Sequence, residues 1–199
     1  MGSTLWLKLA LALAALVAVP VAAQSYSDGF TFLKAVRERD GQTVERILAN
    51  PASTAINYKD INTGEASLHV LVRGRDLTWL SFLLGRGARP DAASNDGTTP
   101  LILAAQLGWT DGAQQLLARR ANPNLGNNRG ETPLIFAVQR RDLEMVRILL
   151  LRRADPNQTD NVSGYSPIDY ARQDSRAAPI LRLLEQSRAP RAPAAGPTR

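Results

Sequence analysis

The chain has 199 residues, of which 24 are Lys or Arg, 18 are Asp or Glu, one is His and none is Cys. This length suits one domain or one short array with a core large enough to fold alone. The lack of cysteine and the single imidazole exclude cysteine nucleophiles, disulfide frameworks, Cys/His zinc sites and iron–sulfur ligation. The formal net charge of +6 bears on solubility and loose binding to polyanions rather than on fold.

Residues 1–23 have the three parts of a secretory signal peptide. Lys8 gives the N-terminal region a positive charge, and residues 9–19 form an unbroken apolar run. After Pro20, small residues that end at Ala23 provide a cleavage site. As a helix, this run would span about 16 Å, roughly half of a bilayer's hydrocarbon core. We therefore predict cleavage after Ala23 and a periplasmic or secreted chain, with an uncleaved membrane anchor as the alternative. Outside the cytoplasm there is no chromosome to bind, so we expect no nucleic-acid partner.

The rest of the chain is repetitive. Glycines, paired leucines and an Ala-x-Pro loop all recur in register at intervals of about 33 residues, an agreement that indicates internal repeats. The glycines are Gly64, Gly97, Gly130 and Gly164, the leucine pairs end at Leu84, Leu117, Leu150 and Leu184, and the loops begin at Ala88, Ala121 and Ala154.

Each repeat predicts two helices joined by a turn. Its glycine occupies a turn that requires positive φ, and a hydroxyl N-cap followed by proline, such as Thr99 and Pro100, begins the first helix. Apolar residues follow at i, i+3 and i+4 spacing, and a second helix ends at the leucine pair. Because neither helix can bury its apolar face alone, stability must come from stacking neighbouring repeats.

Residues 96–105 (DGTTPLILAA) and 130–134 (GETPL) resemble the ankyrin repeat, whose unit of about 33 residues carries a T-P-L-H-x-A signature. The resemblance implies an all-α solenoid of about five helix-turn-helix units with short β-turn fingers. We expect the first unit to act as an N-terminal cap and the last as a C-terminal cap. The units are 28–58, 59–92, 93–125, 126–158 and 159–186, which makes 24–186 the repeat domain and 187–199 a disordered, basic, Pro/Ala-rich tail.

Three residues depart from the regular pattern or stand out within it. His69 occupies the signature's His position, which implies hydrogen bonds between adjacent turns rather than catalysis. Gly112 interrupts a second helix at a cost of about 1 kcal/mol, so we expect the third unit to open first. Trp109 is either an exposed contact or packs on the neighbouring turn, and the sequence leaves both open.

Two sets of repeated positions have a structural and a functional interpretation. One position of each first helix is apolar in successive repeats. We interpret these side chains, called the apolar row, as part of the hydrophobic core rather than as the lining of a binding groove: Val70, Leu103, Phe136 and Tyr170. An arginine set lies at the C-terminal ends of second helices, where cations complement the helix dipole: Arg86, Arg119, Arg120, Arg152 and Arg153. The alternative for the arginines is an envelope-associated structural protein, tethered by them and the tail to anionic lipid or polymer.

The resemblance leaves the finger tips and the outer ends of the first helices free for binding. We predict a monomeric, non-enzymatic adaptor or scaffold that binds a protein partner through this concave surface, where Arg and Tyr suit interface hot spots. The chain contains no phosphate-binding glycine loop, HExxH, GxSxG or EF-hand series, so we predict no catalytic residue, metal or cofactor. The predicted partner-binding residues are Asn62, Glu65, Arg73, Asn95, Asp96, Gln106, Leu107, Asn128, Arg129, Glu131, Arg140 and Tyr165.

Overall fold

The computed structural model describes residues 21–188. The predicted signal peptide therefore lies outside the described residues except for positions 21–23, as does the predicted tail beyond residue 188. The chain divides into two compact bodies, Met1–Tyr58 and Lys59–Arg199. Within the described range, no helix is both long enough and apolar enough to cross a bilayer.

The first body consists of α1 (Val21–Glu38), α2 (Gly41–Leu48) and the 3₁₀ turn Ala55–Asn57. Asp40 begins α2, because its carboxylate accepts a hydrogen bond from the backbone N–H of Thr43. Phe32, Val36 and Val44 are buried and form the core of this body. Helix α1 begins before residue 28, the predicted start of the first unit, and includes the predicted cleavage position.

The second body is a stack of four helix pairs. The first helix of each pair packs on the first helix of the next, and the second helices stack in the same way. This arrangement confirms the predicted all-α solenoid, and its last helix continues to Arg188, two residues beyond the predicted domain end. The pairs are α3 (Ser67–Arg73) with α4 (Leu77–Gly85), α5 (Pro100–Leu107) with α6 (Thr110–Ala118), α7 (Pro133–Gln139) with α8 (Leu143–Leu151), and α9 (Pro167–Gln173) with α10 (Ala178–Arg188).

Hydroxyl caps and prolines begin three of the first helices, as predicted. The hydroxyl oxygen accepts a hydrogen bond from a backbone N–H in the first turn, and proline occupies the first helical position, where no N–H is needed. Such a cap stabilises a helix by about 1 kcal/mol relative to alanine. The caps are Thr99, Thr132 and Ser166.

Helix α6 begins differently from the neighbouring second helices. Asp76 and Asp142 cap α4 and α8 through their carboxylates, whereas Trp109 at the start of α6 makes no side-chain cap. Its indole is buried, with 7% of its surface exposed, and lies on Gly112, where an added Cβ would be only 2.0 Å from Trp109 Cε3. Trp109 is therefore a packed residue rather than an exposed contact, and Gly112 provides the space that the indole fills.

We predict that Gly112→Ala destabilises the protein, although alanine has the higher helix propensity. The propensity gain is about 1 kcal/mol, whereas overpacking a filled site costs typically 1–3 kcal/mol, so we expect a net loss of up to about 2 kcal/mol in urea unfolding. Gly85→Ala in α4 is the matched control, because the nearest atom to its added Cβ, Arg119 Nη2, is 3.9 Å away. A Gly112→Ala variant as stable as the control would contradict this packing argument.

Candidate functional site

In three of the four fingers of the second body, a side-chain oxygen at the base of the finger accepts hydrogen bonds from backbone N–H groups. Asp60 Oδ1 accepts hydrogen bonds from the backbone N–H groups of Asn62 and Thr63 at 3.0 and 3.2 Å. Asn127 does the same for the fourth unit, and Asp160 for the fifth. These base residues were not identified from the sequence, although a side-chain oxygen bonding backbone N–H groups a few residues ahead is a common turn device.

Hydrogen bonds join the finger tips of successive units. The backbone N–H of Asn95 donates to the Thr63 carbonyl and its side-chain amide donates to the Asn62 carbonyl, both at 2.9 Å. Asn128 repeats the pattern with the carbonyls of Asp96 and Asn95, both at 3.0 Å. Two predicted partner-binding residues, Asn95 and Asn128, thus have a structural role, and we call these contacts the finger ladder.

The finger glycines make the ladder possible. Gly64 and Gly97 have φ of 72° and 81°, as the repeat pattern predicted. A Cβ on Gly64 would lie 2.3 Å from Asn95 Oδ1, and one on Gly97 would lie 2.6 Å from the backbone nitrogen of Asn128. Glycine is therefore required both for its backbone conformation and for the close approach of the next finger.

His69 connects the second and third units. Its Nδ1 accepts a hydrogen bond from the Ala66 N–H at 3.1 Å, so the proton is on Nε2, which donates to the Thr98 carbonyl at 2.9 Å. Ala66 at the N-cap of α3 has no hydroxyl to accept a bond from the first turn, and the imidazole instead satisfies the backbone N–H of Ala66. Burial lowers the pKa of His69, which keeps the ring neutral. This geometry confirms the expected structural role.

Five predicted binding residues line one cleft of about 400 Å³. The cleft lies along the fingers and first helices of the second and third units. Across it, Arg73 forms an ion pair with Glu65, and the Arg73 side chain is 58% exposed whereas that of Glu65 is 22% exposed. The lining residues are Thr63, Glu65, Arg73, Ser94, Asn95, Asp96, Thr98, Leu103 and Gln106.

The carboxylate of Asp96 accepts hydrogen bonds from residues of its own finger. Hydrogen bonds from the Ser94 hydroxyl and from the backbone and side chain of Thr98 lower the pKa of Asp96 and hold it as a carboxylate. Within residues 21–188, no group of three or more acidic or imidazole side chains is placed to hold a metal ion. The cleft therefore presents fixed polar groups and one ion pair.

Tyr165 is the most prominent aromatic residue of the fingers. It is 41% exposed, and the edge of one ring meets the face of the other in its contact with Tyr170, at 5.6 Å between centroids. The Tyr170 hydroxyl donates to Asp160 Oδ2 at 2.7 Å. Burial opposes ionisation of Asp160, but this bond and three backbone N–H donors outweigh it and lower the pKa of Asp160. Tyr165 thus rests on a fixed support.

The other predicted residues lie on the same fingers and helix ends. Arg129 Nε is 3.7 Å from Glu131 Oε2, and its side chain is 64% exposed. Arg140 is exposed and its guanidinium packs against Gly108, which has space for it because it lacks a Cβ. Leu107 is half-buried, and its carbonyl accepts a hydrogen bond from Arg75 at 2.7 Å.

The apolar row on the first helices is more exposed than predicted. Leu103 is buried, as the core interpretation requires. Val70, Phe136 and Tyr170 are only half-buried. The core interpretation was therefore incomplete, because three of these four side chains also present apolar surface beside the fingers.

Three of the five arginines at the ends of the second helices contact other groups of the protein. Arg119 Nη1 donates to the Leu84 carbonyl at 3.3 Å, and Arg152 Nη1 donates to the Leu117 carbonyl at 3.1 Å, so each links its unit to the preceding one. The Arg86 guanidinium lies 4.8 Å from the centre of the Phe82 ring. These contacts favour the structural interpretation, since they satisfy carbonyls at helix ends that lack helical partners.

We predict that His69 makes stability depend on pH between 7 and 5. Burial lowers the pKa of His69 in the folded state below its ordinary value of 6.5, so the unfolded chain binds a proton first and stability falls as pH drops below about 6.5. His69→Gln should lose about 1–3 kcal/mol at pH 7, where the inter-unit bond is intact, and show a flatter pH profile. Urea unfolding at pH 7, 6 and 5 measures both, and no other side chain of the chain is an imidazole. Equal slopes for the two proteins would contradict the assignment.

Comparison with known protein families agrees with the geometry. A family model described as ankyrin repeats (3 copies) matches three overlapping stretches, residues 32–127, 68–160 and 110–188. Together these stretches run from within α1 to the end of α10. Ankyrin repeats are generally protein–protein interaction modules, and proteins built from them are typically non-enzymatic. The chain belongs to the ankyrin-repeat family.

Proposed function

We propose that this chain is a non-enzymatic adaptor or scaffold that binds a protein partner through its concave surface, outside the cytoplasm. The concave surface consists of the fingers and the first helices α3, α5, α7 and α9. The observation that carries the proposal is the presence of half-exposed apolar side chains on the first helices, Phe136 and Tyr170 among them, with the exposed ring of Tyr165 in contact with Tyr170. Apolar surface rimmed by polar groups is typical of a protein interface.

The rigidity of the fingers supports binding. The finger ladder and the base residues fix the backbone before a partner arrives, so little conformational entropy remains to be lost on association. Tyr165 adds a large side chain with few rotatable bonds, already packed against Tyr170. Tyrosine and arginine at such positions are the residue types that most often dominate binding energy.

The charges on the concave surface favour a protein partner over a polyanion. Arginines and carboxylates alternate here, with Glu65 paired to Arg73 and Glu131 close to Arg129. A surface of mixed sign suits a partner with complementary charges of both signs. The envelope-tether alternative relies on the arginine set, and two of those arginines already bond to carbonyls of the preceding unit.

We predict that changing Arg129, Arg140 and Tyr165 together to alanine abolishes partner capture and leaves folding intact. All three side chains are exposed and none caps a helix or joins two fingers, so the unfolding free energy should change by no more than about 1 kcal/mol. The measurement is affinity capture from an envelope extract with the wild-type and variant chains at low and high salt, with circular dichroism to verify folding.

A triple substitution of Arg46, Leu77 and Arg182 to alanine is the matched control, because it also removes two arginines and one large exposed side chain, and none of the three lies on the concave surface. A partner retained by the control and by a chain ending at Arg188, but lost from the concave variant, would support the proposal. Retention by the concave variant would refute it. Material that is lost at high salt, or with residues 189–199, would indicate the electrostatic tether instead.

The extracytoplasmic location rests on residues 1–23. We predict that the chain recovered from the periplasm or medium begins at Gln24, because cleavage follows Ala23. Mass spectrometry of the intact mature chain in each cell fraction measures this. A membrane-bound chain that retains Met1 would support the uncleaved anchor, and an unprocessed chain found in the cytoplasm would contradict both interpretations.

A further inference from the structure

Leu151 is an exposed apolar residue for which the fold gives no reason. It ends α8 and 78% of its surface is exposed. The same repeat position is Gly85 in the second unit and Ala118 in the third, so the stack does not require a large side chain there. A leucine left in water contributes almost none of the burial energy that it would gain in a contact.

Leu151 lies at the edge of a groove between α8 and α10. The groove has a volume of about 690 Å³, and its apolar lining includes Leu150, Leu151 and Leu183. On α8 the lining positions are 147, 150 and 151, and on α10 they are 183, 186 and 187. Both sets have i, i+3, i+4 spacing and so form one stripe on each helix. Two helices that present parallel stripes to a shared groove provide the packing surface for a third helix.

The charged residues that line this groove are both cations. Among the residues that the structure describes, Arg147 on α8 and Arg153 just after it are the charged residues of the lining, and none of the described lining residues is acidic. Within the described residues, neither arginine takes part in an ion pair, unlike Arg172 nearby, which pairs with Glu185 at 3.5 Å. Unpaired arginines beside an apolar floor complement a ligand that has both apolar groups and carboxylates.

We propose that the groove between α8 and α10 binds an acidic amphipathic helix of a protein partner. One apolar stripe of that helix packs on Leu150, Leu151 and Leu183, and its flanking carboxylates pair with Arg147 and Arg153. This second docking surface uses second helices and shares no residue with the concave surface. It does not depend on the function proposed above.

Two observations favour a helix in this groove over other sites and ligands. The neighbouring groove between α6 and α8 shares Leu151 and other apolar side chains, but it is lined by both Asp111 and Arg152, so it lacks the single sign of charge. Exposed carboxylates at Glu144 and Asp155 lie on either side of the arginines along the chain. The exposed cations Arg147 and Arg153 thus lie between two carboxylates along the chain, an arrangement that suits a narrow ligand such as one helix better than the broad surface of a bilayer.

The test uses a synthetic amphipathic peptide of about 18 residues, with leucines at i, i+3, i+4 and i+7 and glutamates on both sides of that stripe. Binding to the full-length protein is followed by fluorescence anisotropy. We expect saturable binding that weakens about tenfold or more in an Arg147→Glu/Leu151→Ser variant. Both side chains are exposed, so the variant should fold, and Leu151→Ala provides a second, milder variant that should weaken binding in the same direction.

Two control peptides define what would overturn the proposal. One has lysines in place of the glutamates, and the other has serines in place of the leucines. Binding of either as tight as that of the acidic peptide, or binding unaffected by the groove variants, would refute the proposal. An Arg140→Ala/Tyr165→Ala variant should bind the acidic peptide like wild type, which separates this surface from the concave one.

Two further measurements test other occupants of the groove. Co-sedimentation with phosphatidylglycerol vesicles that depends on Arg147 and Leu151, without peptide binding, would replace the helix with lipid. Analytical ultracentrifugation that shows a dimer dissociated by the same substitutions would replace it with a second copy of this chain. Either result would overturn the proposal, and a monomer that does not bind vesicles agrees with it.

Discussion

The solenoid depends on hydrogen bonds that pass from one finger to the next. Its first helices have only 7 or 8 residues, too few to be stable alone in water, so each must be held by its neighbours. The finger ladder supplies part of this support, because Asn95 and Asn128 each donate two bonds to the preceding finger. The requirement for glycine follows directly, since a side chain on Gly64 or Gly97 would occupy the space that the asparagines use.

Arginine connects the units at the helix ends, away from the finger tips. Arg75 donates to the Leu107 carbonyl of the following unit, and Arg141 pairs with Asp174 of the following unit at 3.0 Å. Arg119 and Arg152 reach the preceding unit instead. Arginine suits these links between units because its side chain is long and carries several planar N–H donors, and because a helix end has carbonyls without helical partners. These four arginines therefore stabilise the stack of repeats.

Periodicity predicted the helix pairs, the hydroxyl caps and the turn glycines, because each follows from a local rule that repeats. It could not predict contacts that depend on two units at once. From the sequence alone, Asn128 is expected to be a solvated residue at a finger tip, whereas in the structure it bonds to the preceding finger. From the sequence alone, Gly112 is expected to destabilise its helix, whereas in the structure the indole of Trp109 fills the space that a side chain at this position would occupy. The row with Phe136 was assigned to the core because burial depends on how neighbouring first helices stack, which spacing alone does not define.

The first and second helices of the repeats expose different surfaces, and this difference matters for a scaffold. The first helices and fingers carry Tyr165 and the half-exposed apolar row, whereas Leu151 and its arginines belong to the second helices. Because the repeat fold commits the core-facing side of every helix to packing, only these outer sides can vary without loss of stability. Leu151 is 78% exposed and Tyr165 is 41% exposed, so burial within the stack does not fully account for a large side chain at either position. A rigid body with two such surfaces can hold two partners at once, since binding at one surface leaves the residues of the other free.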